Sequence, residues 1–345
     1  MTTSNNKLTR KRHYTLATMI LIAVLTIFGS LVACTRSDNK SANVTNKITF
    51  AYTILPDAAL VQVAQQQGYF QQEGLDVTPQ VHQIGKAALD AVMEGKADFA
   101  TVAETPVVFA ILKGKKIDIV ATINTSNKNM AIVARKDHGI RLPYDLKGKK
   151  IATTFGTIGE FFMDTMLMTN GISRKDVKVV NLAPEIMQDA LVNGDVDAIS
   201  TWNPILIRTQ NKLGNKSITF YGEDIYTQTY NVVATQSYID KNPSMVNKIL
   251  LALIKAEEFA KQKPAEAQKV VADVSRTDKG LIGETWDVNH LSVALDQSLL
   301  LAMEDESRWA IKSGLVNKTK IPNYLDYIYF YGLDSIKPKA VRILR

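Results

Sequence analysis

The chain of 345 residues has one cysteine, four histidines and three tryptophans. A single cysteine forms no intrachain disulfide, so a chain of this length must be held by its own hydrophobic cores, which its size permits. The histidines, His13, His82, His138 and His290, are scattered and give no histidine and cysteine spacing of a zinc site. Neither a G-x-S-x-G elbow nor a phosphate loop occurs. Nucleophilic, metal-assisted and nucleotide-dependent catalysis therefore lack their usual parts. The expectation is a protein that is not an enzyme, holds no metal and needs no cofactor.

Acidic residues are in short supply at one end only. The net charge of +7 includes Lys7, Arg10, Lys11 and Arg12, which no acid offsets; without them 37 basic residues face 34 acidic ones. That near balance removes the motive for a nucleic-acid partner. The four positive residues precede an uncharged apolar run from Leu16 to Val32 and then Ala33-Cys34, the order of an export signal. Leu31-Val32-Ala33-Cys34 resembles the lipobox of bacterial lipoproteins, which implies lipidation of Cys34. An uncleaved membrane anchor is the alternative, since about 17 apolar residues can also span a bilayer. Either reading places the globular part outside the cytoplasmic membrane. Residues 1–33 are expected to be a signal peptide, and residues 34–46, polar with nothing to bury, a flexible tether.

Beyond the tether the chain is written twice, with an offset near 100 residues. Lys47-Ile48-Thr49-Phe50 parallels Lys150-Ile151-Ala152-Thr153, and Asp90 to Asp98 parallels Asp189 to Asp197. Prolines follow at Pro106 and Pro204, and Met130 to Ala134 parallels Tyr230 to Ala234. Each copy alternates β-rich runs with helical ones: strands over 48–52, 75–81, 99–102 and 117–123, helices over 58–67 and 86–94. Strands joined by crossover helices imply two α/β lobes, each a doubly wound, mostly parallel sheet. The lobes are expected over residues 47–134 with 232–345, and over 135–231. They are linked by two crossings that act as a hinge. The stretch from Asn242 onward reads as helices, including one over 289–314.

Gly68-Tyr69-Phe70-Gln71-Gln72-Glu73-Gly74-Leu75-Asp76-Val77 resembles a signature of ABC transporter solute-binding proteins of the nitrate, sulfonate and taurine type. Asp145 to Ile151 and Asp197-Ala198-Ile199-Ser200-Thr201-Trp202-Asn203-Pro204 extend the likeness. The resemblance implies a monomeric clamshell of the periplasmic-binding-protein kind that closes on a small-molecule solute and delivers it to an ABC permease. Thiamine-pyrimidine precursors are an alternative ligand class on this scaffold, and a ligand-sensing receptor subunit an alternative role.

In open α/β sheets ligands bind beyond the carboxyl ends of strands, where helix N-termini point free amides at them. The corners are Thr53 to Asp57, Gln83 to Lys86 and Ala103 to Pro106 in the first lobe. Those of the second are Thr154 to Gly159, Ala183 to Glu185 and Thr201 to Pro204. Candidate ligand contacts are Thr53, Ile54, Gly85, Glu104, Thr105 and Asn124, then Thr154, Gly156, Thr157, Glu160, Trp202 and Asn203, with Tyr230 at the second crossing. The glycines and threonines of 154–159 suit an oxyanion, because they combine close backbone approach with hydroxyl donors. This turn corresponds to the ligand-contacting loop of the resembled family. Glu104 either points away from the cleft or meets a cationic group. Glu160 is either a first-turn helix acid or a second such contact, and both acids in the cleft would favour an amine-bearing or zwitterionic solute over nitrate.

Overall fold

A computed structural model describes residues 46–345; the signal segment, Cys34 and its tether up to residue 45 lie outside the described residues. Two mixed sheets organise the chain. The first has seven strands in the order β12-β11-β4-β10-β3-β1-β2 and the second five, β7-β6-β8-β5-β9. The strands of the first are β1 (Asn46–Thr53), β2 (Leu75–His82), β3 (Phe99–Ala103), β4 (Ile117–Ser126), β10 (Gln228–Thr235), β11 (His290–Asp296) and β12 (Val341–Arg342). Those of the second are β5 (Met130–Arg135), β6 (Lys150–Thr153), β7 (Lys178–Asn181), β8 (Ala198–Trp202) and β9 (Ser217–Tyr221).

The duplication is visible bond by bond. In the first lobe β1 lies parallel to both β2 and β3, and in the second β6 lies parallel to both β7 and β8. The helix Gly85–Met93 ends on Gly95 at φ 71° and the helix Pro184–Asn193 on Gly194 at φ 83°, left-handed positions that favour glycine. Three residues later the same carboxylate recurs. Asp98 Oδ2 accepts from the Thr49 amide at 2.7 Å, and Asp197 Oδ2 from the Lys150 amide at 2.8 Å. These bonds make Thr49 the counterpart of Lys150, two residues beyond the pairing of Lys47 with Lys150 read from the sequence. A slip of two leaves every side chain on the same face of a strand, so alternation alone does not detect it.

Each lobe also receives a reversed strand that follows a crossing between lobes. β10 runs antiparallel between β3 and β4, and β5 antiparallel between β8 and β9. β5 therefore belongs to the second sheet and β10 to the first. The chain changes lobes over residues 127–129 and 222–227, before these strands, whereas the sequence reading set the changes at 134/135 and 231/232. Both strands are almost wholly buried, and a buried apolar run does not reveal which sheet receives it.

The carboxyl-terminal part covers the first lobe. The helix Pro243–Gln262 packs on the helix Ala59–Gln66, as does the helix Pro264–Ser275. The single helix expected over 289–314 is instead β11 followed by the helix Gln297–Lys312. Val293, Ala294 and Leu295 pack at the sheet edge, where β11 pairs with β4. Among the described residues no helix is long and apolar enough to cross a membrane.

Candidate functional site

The strand tips of both lobes meet around a half-open cleft. Leu55, Asp57, Ile84, Gly85, Lys86, Ala103 and Pro106 line it from the first lobe. Gln228 and Tyr230 of β10 join them, with Asn129 of the first crossing. Thr157, Ile158 and Trp202 line it from the second lobe.

Two helices begin at this cleft, Gly85–Met93 and Ile158–Thr169. Their first-turn amides have no partner within the helix and carry the positive end of its dipole. A Cβ on Gly85 would lie 3.0 Å from both the Tyr230 hydroxyl and Val102 Cα, so only glycine lets this helix start so close to the sheet. The Thr157 hydroxyl caps the other helix, accepting from the Gly159 amide at 3.3 Å and donating to the Thr154 carbonyl at 2.7 Å.

Among the described residues Asp57 is the one carboxylate on the lining, and it is buried. Its Oδ1 accepts from three side-chain amides, those of Asn124 at 3.2 Å, Asn129 at 3.0 Å and Gln228 at 2.5 Å. Asn129 sits on the first crossing and Gln228 begins the strand that follows the second, so one oxygen gathers both passages between lobes. Burial pushes the Asp57 carboxyl up to about 6, against the pull of these amides. The lone basic lining residue, Lys86, is engaged by Asp90 at 2.8 Å. Tyr230 is held by Thr53, hydroxyl to hydroxyl at 2.9 Å, and burial raises its phenol above the usual value.

Of the residues singled out in the sequence, Gly85, Thr157, Trp202 and Tyr230 line the cleft. Thr53 and Asn124 stand directly behind it, bonded to Tyr230 and Asp57. Ile54 is committed through its amide to the His82 carbonyl. Thr154 donates to the Leu182 carbonyl, and Gly156 opens toward an adjoining hollow that Lys86 and Phe109 share. Asn203 is buried, with its amide on the Asn129 carbonyl and its Oδ1 unpartnered.

Glu104 and Thr105 are not on the lining. Glu104 Oε2 accepts from the Thr229 amide and hydroxyl, each at 3.0 Å, and Thr105 donates to Glu306 Oε1 at 2.8 Å. Glu104 and Glu306 are fully buried beside one another, and desolvation raises both, Glu104 to about 7. Burial side by side disfavours two charges on such a pair. The helix Gln297–Lys312 supplies Glu306, and it is this partner, some 200 residues away in sequence, that turns the corner inward. Glu160 is also withdrawn: Oε2 accepts from the Gly156 amide at 2.8 Å and Oε1 from Arg174 Nη2 at 2.7 Å. It is a helix-start acid neutralised by arginine.

Asp57, Lys86 and Pro106 fall inside corners read from the sequence but were not picked out within them, and Asn129 and Gln228 were missed altogether. The Pro56-Asp57 pair carries the signal of an ordinary helix start, and its three amides come from two distant stretches of the chain, 124–129 and 228.

A model of the NMT1/THI5-like family matches residues 55–267. The chain belongs to the NMT1/THI5-like family. A Bacillus subtilis (strain 168) protein named for binding aliphatic sulfonates is 25% identical over 263 residues, 74% of this chain and 79% of its own. A Haemophilus influenzae protein named for thiamine biosynthesis is 27% identical over 227 residues, 64% of this chain and 70% of its own. The alkanesulfonate-binding protein SsuA from Xanthomonas axonopodis pv. citri, solved bound to MOPS, superposes with a TM-score of 0.72 at 20% identity. The match covers 82% of this chain and 98% of that one. The two-lobed fold read from the duplication is therefore shown, as is the kinship with solute-binding proteins of this type.

Proposed function

We propose that this NMT1/THI5-like protein is the extracytoplasmic solute-binding component of an ABC importer. It captures a small polar or anionic solute in the cleft between its lobes and presents it to a permease. The observation that carries the reading is the composition of the cleft wall. Gly85 and Pro106 of one lobe face Thr157 and Trp202 of the other, so a guest touching both walls binds the closed form better than the open one. Within the nitrate, sulfonate and taurine class, the sulfonate-binding relatives favour a sulfonate, and the two helix starts supply amides suited to an anionic end. In this reading the protein turns over no substrate, acts as a monomer and is held at the membrane through a lipidated Cys34.

A thiamine-pyrimidine precursor is the second ligand class. It is favoured by the Haemophilus relative and by the apolar, aromatic wall of Leu55, Ile84, Pro106 and Trp202. Calorimetry against alkanesulfonates, nitrate and an aminopyrimidine, with small-angle scattering on the saturated protein, tests the function. Saturable binding with a smaller radius of gyration is expected. Binding without compaction contradicts hinge closure, and consumption of a ligand contradicts the transport role.

A further inference from the structure

The charge on the cleft wall narrows the solute. Nitrate and simple sulfonates are anions, yet the lining carries one buried carboxylate, Asp57, and one lysine already paired with Asp90. Among the described residues no arginine lines it. An anion placed against Asp57 would meet a like charge in a partly desolvated site. The three amides that support Asp57 all converge on Oδ1, and none reaches Oδ2. Each of the three donors is itself pinned: Asn124 also donates to Asn289 Oδ1 at 2.7 Å, Asn129 to Gln228 Oε1 at 3.1 Å, and Gln228 belongs to β10. The carboxylate is thus fixed in place by neutral groups that do not cancel its charge.

We infer that the solute carries a protonated nitrogen that seats on Asp57, with its remaining body against Trp202, Leu55 and Pro106. This rests on reading the cleft as the solute site. A buried, hydrogen-bonded carboxylate with no cation beside it is a half-built ion pair, and a ligand ammonium or amidinium completes it. An anionic group at the other end of the same solute lies toward the amides of the helices starting at Gly85 and Ile158. Two sources share this chemistry, an alkyl ammonium on a zwitterion and the protonated ring of an aminopyrimidine. Both differ from nitrate and from unsubstituted sulfonates, which offer Asp57 nothing.

Titration calorimetry with two matched pairs tests it: 2-aminoethanesulfonate against ethanesulfonate, and 4-amino-2-methylpyrimidine against 2-methylpyrimidine. In the wild-type protein one nitrogen-bearing member is expected to bind at least tenfold tighter than its counterpart, and the pair that shows the gap identifies the source. Asp57→Asn is expected to shrink that gap to about twofold. Equal affinity within both pairs overturns the inference while leaving the cleft reading intact. A gap that persists in Asp57→Asn also overturns it. No binding by any of the four, or binding unchanged by Trp202→Ala, overturns the cleft reading as well.

Discussion

The two lobes repeat one strand and helix plan but differ in what their third corners do. In the second lobe the corner after β8 turns Trp202 onto the cleft. In the first, the corner after β3 turns Glu104 and Thr105 inward, to Thr229 and Glu306. Each corner leads from a strand into a helix, which begins at Glu104 in the first lobe and at Ile205 in the second, and the partner available differs as well. The carboxyl-terminal helix Gln297–Lys312 packs on the helix Glu104–Leu112 and brings Glu306. The lobe that carries this extra layer uses the polar side chains of its corner to hold the layer, while Ala103 and Pro106 of the same corner stay on the cleft. The lobe without it keeps its corner for the cleft, and a duplicated fold thereby acquires two unlike walls.

The comparison breaks most visibly at Trp202. Trp202→Ala is expected to weaken solute binding by about 10–100-fold and to cost on the order of 3–5 kcal/mol of stability. Thr105→Ala should leave affinity within about twofold. Calorimetry on both variants checks this, and the reverse ranking would mean that the corners have been assigned to the wrong roles.

The repeated carboxylate tests how deep the likeness of the lobes runs. Asp98→Ala and Asp197→Ala each leave a strand amide without its acceptor, at about 1–3 kcal/mol by denaturant unfolding. The second should cost more, because Asp197 also holds His138 Nδ1 at 2.7 Å. Equal losses would show that the histidine contributes nothing.

The buried acid pair gives a pH signature of the first lobe. Carboxyls raised above their unfolded values bind more protons folded than unfolded, so the stability they lend is present at low pH and lost as pH rises. For Glu104 the window runs from its ordinary 4.5 to about 7. The unfolding free energy should therefore fall across that range, by an amount on the order of 1–3 kcal/mol. Glu306→Gln should flatten the slope, leaving the part due to Asp57 and Asp118, each pushed up to about 6. An unchanged slope would deny that this pair carries the pH dependence.

The smallest effect is expected where the lobes touch outside the cleft. Trp309 Nε1 donates to Asp164 Oδ2 at 2.8 Å, joining the carboxyl-terminal helix to the helix Ile158–Thr169. Trp309→Phe removes that bond and keeps most of the ring packing against Phe109 and Phe161. A loss of about 0.5–1.5 kcal/mol in unfolding free energy is expected, with affinity unchanged within about threefold. A larger change in affinity would make this contact part of closure itself.

Local pattern carried much of the architecture. The strands near 48–52, 75–81 and 99–102, the glycine-closed helices and the duplication were all legible, because periodicity and caps are written over short stretches. What was not legible depended on partners far along the chain. The inward turn of Glu104 needs Glu306, the place of Asp57 needs Asn124, Asn129 and Gln228, and the sheet that takes β5 depends on β8 and β9. β11 was passed over because Leu291, Val293 and Leu295 alternate for only a few residues before a long helix begins. The corners were located correctly as positions in the chain, but which of their side chains face the cleft is a property of tertiary contacts.

Amide hydrogen exchange with and without saturating solute tests the central claim most directly, because it reads both cleft walls in one experiment. Slowed exchange is expected at Gly85 and Lys86 on the first lobe and at Ile158 on the second, together and with the same concentration dependence. Slowing confined to one lobe, or found in neither, would contradict a solute held between them.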